Sequence, residues 1–492
     1  MLFNSYEFIF VFLPISFFVY FYLNHKRLTT ASKAWLVFTS LFFYGWWNIL
    51  YLPLILISIA FNYAISNKII ERGEPKKNFL TKKSLLQIGL LFNIGLLVYF
   101  KYMDFFISNT NNLINTDIGL LHLALPLAIS FFTLQQIAFL IDSYEGLVNE
   151  KTILDYTIFV TFFPQLIAGP IVHYKEIMPQ FANVRNKVKN YKNIAMGLFI
   201  FSIGLFKKVV IADTFAIWAT QGFDVATSLN LFEAWATSLA YTFQIYFDFS
   251  GYTDMAIGGA LLFNIKLPIN FNSPYKATGM IDFWQRWHIT LSTFITTYIY
   301  TPMVRSFDKL TFHKAMFATV VTFLIAGLWH GASWMFVIFG ALHGLGLITN
   351  HYWKKINIKL NKVLAWFITF NFVNITFIFF RAKDLDHAFK VLSGMIGSNG
   401  VSLPRLLLNK LEFLQQYGFE FGGWVTNIDN GGGKTLAPWF IVGFVLILAF
   451  KNSSEILNGF KFNTRTALFA GVAFVVAILS LSEITEFLYF NF

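Results

Sequence analysis

Long apolar runs separated by short basic loops recur from one end of this 492-residue chain to the other. Most approach or exceed the ~20 residues that an α-helix needs to cross a hydrocarbon core. The first, about 8–23, follows Asn4-Ser5-Tyr6-Glu7 and precedes His25-Lys26-Arg27. A secretory signal has the opposite polarity, so this run predicts an uncleaved helix with its N-terminus outside. The run 34–65 is too long for one span of ~20 residues, and Pro53 interrupts it, which predicts two helices in a hairpin. Further spans are expected near 85–100, 121–141, 195–211, 231–249, 315–328, 334–349, 363–380, 438–450 and 467–481. With shorter pieces around Phe159, Ala256 and Ile289, the pattern predicts an all-α polytopic membrane protein of roughly ten to twelve spans.

Some segments are too broken to cross simply. Thr161 to Pro170 carries Pro164 and Pro170 in an apolar context. Proline removes a backbone donor and clashes with the preceding turn, so the segment either re-enters or forms an interfacial elbow. Leu267-Pro268-Ile269-Asn270-Phe271-Asn272-Ser273-Pro274-Tyr275 reads as a turn-rich loop. The extended polar region, about 381–436, holds amphipathic stretches at 387–395 and 406–417, which predicts short interfacial or capping helices. With no fixed-period repeat and no low-complexity tract, 1–492 reads as a single membrane domain.

Composition sharpens this picture. Apolar residues make up 56% and charged ones 13%, a ratio no water-soluble domain could hide. The 62 Phe and 13 Trp suit lipid-facing surfaces and interfacial belts. Cysteine is absent, which excludes disulfides, thiolate nucleophiles, cysteine thioester intermediates and Cys-ligated zinc. The net charge of +12 lies in the short loops 25–27, 68–83, 185–192, 305–314 and 354–362. That is the positive-inside pattern, so those loops are read as cytoplasmic and no nucleic-acid partner is implied.

Four polar clusters interrupt the apolar background. Between Ala315 and Thr349 there is no Asp, Glu, Lys or Arg, yet His330 sits in its middle, between Trp329 and Trp334. An ionisable group at membrane depth is a functional candidate by default; the competing reading is one hydrogen bond donated across a helix interface. Phe283-Trp284-Gln285-Arg286-Trp287-His288 supplies a second histidine, and if helical, Asp282 and Arg286 pair four residues apart. Asp248 and Asp254, in Asp248-Phe249-Ser250-Gly251-Tyr252-Thr253-Asp254, are expected to end one span and begin another. They could orient a histidine, hold a cation or simply cap a helix. The fourth cluster is Arg381, at the end of Phe379-Phe380-Arg381-Ala382. His343 is different: on one unbroken helix it would lie about 20 Å from His330 and on the opposite face, as a packing residue. That argument weakens if Gly331 breaks the helix.

A neutral imidazole can take a proton from a hydroxyl as that hydroxyl attacks an activated acyl group, which contributes roughly 10²–10⁴ in rate. Tryptophans beside it would exclude water and limit wasteful hydrolysis. Zinc is not expected, since there is no His-Glu-x-x-His and no third ligand for His288 and His330. No Gly-x-Ser-x-Gly elbow is present. Gly431-Gly432-Gly433-Lys434-Thr435 lacks the earlier glycine and preceding strand of a phosphate loop.

Taken together, several motifs resemble the membrane-bound O-acyltransferases. They are Phe163-Pro164-Gln165-Leu166-Ile167-Ala168-Gly169-Pro170, the run from Gly204 to Asp213, Asp248 to Asp254, Phe283 to His288, Gly327-Leu328-Trp329-His330-Gly331, Phe379 to Ala382, and the ending Phe487 to Phe492. The resemblance is narrower to the bacterial membrane subunits that O-acetylate alginate, peptidoglycan and other polysaccharides. It implies helices around a central tunnel with the family's invariant histidine, here His330, inside it; His288 corresponds to the second frequent site histidine. Asp248, Asp254 and Arg286 are carried over as tunnel or donor-binding residues, with Arg286 set to neutralise a donor phosphate or developing oxyanion; Trp329, Trp334 and Trp287, beside the histidines, are candidates for the same lining.

The resemblance further implies a donor rather than a resident cofactor: acetyl-CoA or another acyl thioester, used from the cytoplasmic side. Its implied partners are the lipid bilayer, an extracytoplasmic esterase-like protein that finishes the transfer, and a polysaccharide acceptor; the implied location is the bacterial cytoplasmic (inner) membrane. The rival readings are transfer of D-alanine to a cell-wall polymer, a transporter with His330 as proton relay, and a non-catalytic scaffold.

Overall fold

The computed structural model describes residues 1–71, 81–148, 151–429, 431, 433–481 and 488. Most of the basic loop 68–83 and the ending from Phe487 lie outside them. The described chain is helical apart from one pair of short strands. Among the described residues, six helices are long and apolar enough to cross a bilayer: Glu7–His25, Ile49–Glu71, Lys82–Ile114, Tyr191–Val225, Phe312–His330 and Lys362–Arg381. Leu436–Leu448 and Thr464–Leu479 are shorter apolar helices. Their polarity patterns are nearly featureless around the helix axis, as expected where lipid and protein interior are both apolar.

Residues 1–205, 252–269 and 460–492 form one compact unit, and residues 206–251 and 270–459 form another. In the first, Thr29–Gly45 and Leu52–Glu71 are the hairpin predicted from the run 34–65. Pro53 stands at the second residue of its helix, where a missing N–H costs nothing. A buried amide network joins these helices to their neighbours. The Asn93 Nδ2 donates to Asn62 Oδ1 at 2.7 Å, the Ser58 hydroxyl donates to Gln136 Oε1 at 3.1 Å, and Asn62 also donates to Gln136. Such pairs are the polar glue available between helices that gain nothing by hiding apolar surface from lipid. The span expected from 121 starts at Ile129 instead, because Pro126 and the left-handed Ala128 hold the preceding chain out of a helix. The Pro164 segment is a short turn of helix, Phe163–Leu166, and is buried in protein. Irregular backbone is tolerated at depth only under such cover.

In the second unit, the polar region expected to hold capping helices does contain one, Leu385–Met395, capped by Asp384 accepting from the His387 N–H at 2.9 Å. The stretch 406–417 is broken into short helical turns, and a parallel strand pair, Val401–Pro404 with Phe419–Gly422, was not anticipated. Leu231–Leu262 is one continuous helix that carries Asp248 and Asp254 in its interior. The expectation that these residues end one span and begin another is therefore wrong. No proline breaks the run, and Asp248 finds a side-chain partner instead of capping a new helix.

Candidate functional site

The site begins with two glycines. Phe312–His330 and Trp334–Lys355 are antiparallel helices joined by only three residues. A Cβ on Gly327 would lie 2.3 Å from the Phe336 carbonyl oxygen, and one on Gly340 would lie 2.4 Å from that of Phe323. Only hydrogen fits, so the backbones close together in the small-residue manner of membrane helices. Gly331 stops the first helix, and Ser333 starts the second by accepting from the Met335 N–H at 3.2 Å.

His330 is thereby the last residue of its helix and is buried. Its ring lies edge-on to Phe380, centroids 5.0 Å apart, with Trp329 at 4.9 Å and Phe339 at 6.0 Å. Trp334 is 57% exposed, so Trp329 is the flanking indole that walls the imidazole.

His288 occupies the turn between Met280–Trp284 and Ile289–Ile295, fully buried and in the left-handed backbone conformation (φ 44°, ψ 53°). Its Nδ1 lies 3.1 Å from Asn270 Oδ1, and its ring meets Phe249 edge-on at 4.8 Å. The Trp329 ring is 6.2 Å from it. One indole thus packs on both histidines, although the two are 42 residues apart in sequence. Trp287 is buried against Phe283, Phe271 and Phe377 and extends the same aromatic shell. Arg286 forms the expected pair with Asp282, Nε to Oδ1 at 2.6 Å, and donates to the Asn272 carbonyl at 3.3 Å. Its guanidinium is therefore already engaged.

Asp248 accepts from Lys208 Nζ at 2.7 Å, and Lys208 also reaches Asp213 at 2.8 Å. Both Lys208 and Asp248 are almost fully buried, so each charge depends on the other for the solvation that water would supply. The Lys207–Ala212 stretch is a π-helical turn, whose i to i+5 register sets Asp213 under Lys208. Asp254 is buried in the first unit, whereas the other candidates belong to the second.

His343 uses both ring nitrogens. Trp284 Nε1 donates to its Nδ1 at 3.2 Å, and its Nε2 pairs with Thr376 Oγ1 at 2.9 Å while that hydroxyl donates to the Val373 carbonyl. It is a packing residue, yet it does not lie far from His330 on one unbroken helix. The helix breaks at Gly331, and Phe339 packs on both rings, His330 at 6.0 Å and His343 at 4.4 Å.

Sequence reasoning passed over Lys208 and Asn270. A lysine inside the apolar run 195–211 was a visible signal, since an intramembrane cation demands a partner. Asn270, in a turn-rich loop, gave none. Among the described residues no three His, Asp or Glu side chains converge as a metal would need.

Comparison with known proteins decides the chemistry. Residues 151–382 match the model of the membrane-bound O-acyltransferase family. A peptidoglycan O-acetyltransferase of Helicobacter pylori is 47% identical over 100% of this chain and 98% of its own length. The chain belongs to the membrane-bound O-acyltransferase family. A probable alginate O-acetylase of Pseudomonas aeruginosa is 36% identical over 84% of this chain and 78% of that protein. A teichoic acid D-alanyltransferase of Streptococcus thermophilus is 27% identical over 52% of this chain. As a membrane-bound O-acyltransferase, the chain is a multi-pass helical membrane enzyme that transfers acyl groups to hydroxyls, and the matched segment contains both His288 and His330.

Proposed function

We propose that this enzyme passes an acetyl group from a cytoplasmic acyl thioester, acetyl-CoA being the simplest, across the bacterial inner membrane for O-acetylation of an exported or cell-wall polysaccharide. Ten to twelve spans would surround a tunnel, and an extracytoplasmic esterase-like partner would complete the transfer to the glycan. The observation that carries this reading is the meeting of His330 and His288 on the single indole of Trp329, inside a buried aromatic shell.

In this proposal the His330 imidazole removes the proton from an attacking hydroxyl as its oxygen bonds to the acyl carbon. The carbon–sulfur bond then breaks, and the imidazolium returns the proton to the departing thiolate. Ester and thiol are the products, and the base is regenerated. His288, held in a strained turn, orients the hydroxyl or the acyl carbonyl. Trp329, Trp287 and the Phe380 ring keep water from the thioester. Arg286 is assigned to an incoming phosphate only if Asp282 releases it, and the buried Lys208–Asp248 pair holds the helix wall. The extensive match to O-acetyltransferases, against a half-length match to a D-alanyltransferase, favours acetyl over D-alanyl.

The test is to replace His330 with Ala, verify membrane insertion, and measure ester-linked acetate and D-alanine on surface polymers. Loss of acetate is expected. Unchanged acetate, or loss of D-alanine alone, overturns the proposal.

A further inference from the structure

The loop at Asn270 does more than turn the chain. Its backbone carbonyl accepts from the Ile289 N–H at 3.0 Å. Its side-chain Oδ1 accepts from the Thr290 N–H at 3.2 Å and from the Thr290 hydroxyl at 3.0 Å. One residue from outside the helix thus satisfies two of the orphan donors at the start of Ile289–Ile295. Two residues on, the Asn272 N–H donates to the Arg286 carbonyl at 2.9 Å, so the loop grips the 286–290 turn from both sides. This grip is what holds His288 in its left-handed conformation.

The grip also settles the amide's orientation. A backbone N–H can only donate, so the atom facing Thr290 N must be the carbonyl oxygen and not the NH₂. The same oxygen lies 3.1 Å from His288 Nδ1. A carbonyl oxygen can only accept, so the hydrogen bond requires a proton on Nδ1. In a neutral imidazole the lone pair then resides on Nε2. A cost accompanies this arrangement. Asn270 Nδ2 is buried and has no hydrogen-bond partner among the described residues, at a penalty of about 1–3 kcal/mol.

We infer that Asn270 is a positioning residue that locks His288 as the Nδ1–H tautomer, with Nε2 as its only proton-accepting nitrogen. The lock is a property of the fold; its kinetic consequence rests on the proposed role of His288 in acyl transfer. His343 supplies an internal contrast, since its partners impose the opposite tautomer, with Nδ1 accepting and Nε2 donating.

The experiment uses the full-length chain in lipid nanodiscs with ¹⁵N-labelled histidine, the His288 signals being assigned by their loss in His288→Asn. The wild type is expected to show a protonated Nδ1 and a lone-pair Nε2. Asn270→Asp keeps an acceptor in place and retains that signature. Asn270→Leu is expected to lose it and to lower kcat for acyl transfer by about 10–100-fold, the usual effect of removing an orienting partner, with the donor KM little changed. A wild-type spectrum with the proton on Nε2 overturns the inference, whether or not Asn270→Leu folds. An unaltered spectrum in a folded Asn270→Leu also overturns it. If the spectra behave as expected but His288→Asn leaves acyl transfer intact, the lock stands and the catalytic reading of His288 fails.

Discussion

Two neighbouring regions of the second unit bury imidazoles among aromatic rings, His343 in one and His288 with His330 in the other, and they partner them differently. Around His343, the Trp284 indole N–H and the Thr376 hydroxyl take one ring nitrogen each, and Phe339, Phe372 and Phe283 close the rest. Every polar atom of the ring has an assigned task, so the residue is a fastener between helices. Around His288 and His330 the walls are mostly rings, Trp329, Phe249, Phe380 and Phe339, which exclude water, and Asn270 engages the Nδ1 of His288. Burial alone therefore does not distinguish the histidines proposed for catalysis from a structural one. The chemistry of what surrounds each does.

The contrast can be broken most directly with paired alanine substitutions. His330→Ala is expected to lower acyl transfer by about 10²–10⁴-fold, the contribution of a general base, with little change in thermal stability. His343→Ala should do the reverse. It leaves the Trp284 donor and the Thr376 hydroxyl short of a partner, at about 1–3 kcal/mol per group, and turnover per folded molecule should stay within a few-fold of wild type. Melting curves and single-turnover acyl transfer on the same preparations decide it, and equal kinetic damage in the two variants would erase the distinction.

Next in size is the charge cluster. Lys208→Met strands Asp248 and Asp213 without their cation, and a loss of about 3–5 kcal/mol is expected from breaking a buried pair. Adding Asp248→Asn and Asp213→Asn should restore much of that loss. A triple variant no more stable than the single one would show that the lysine acts through something other than these carboxylates.

Gly327→Ala presses a methyl against the Phe336 carbonyl and should cost about 1–3 kcal/mol, typical of overpacking. It should also reduce activity, because His330 ends the displaced helix; retained activity at lower stability would place the histidine's position under other control. The smallest effect belongs to Asp282→Asn. The pair with Arg286 is about one-third exposed, so its stability change should stay within about 1 kcal/mol. If Arg286 meets a donor phosphate, freeing it should lower the donor KM, and an unchanged KM would remove Arg286 from the donor site.

Much of the architecture was legible along the chain. Pro53 marked a hairpin because proline fits the first turn of a helix and not its interior. Asp282 and Arg286 declared their pairing through a four-residue spacing that any helical turn would honour. By contrast, Asp248 looked like a cap because a carboxylate in an apolar run has to be satisfied somehow, and nothing local named Lys208, forty positions earlier, as its partner. His343 was rightly read as a packing residue, but through a distance that the break at Gly331 removed.

What this sequence determined by itself is everything that depends on near neighbours. Apolar length set the membrane helices, basic loops set the expectation of their orientation, and small residues such as Gly327 and Gly340 left space for two backbones to close. Only the tertiary structure decided which polar groups meet. Asn270 on His288, Asp248 on Lys208 and Trp329 against His288 are encounters between positions distant along the chain. Hydrophobic periodicity repeats every few residues and carries no address for a partner further away, so these pairings exist only once the helices have packed.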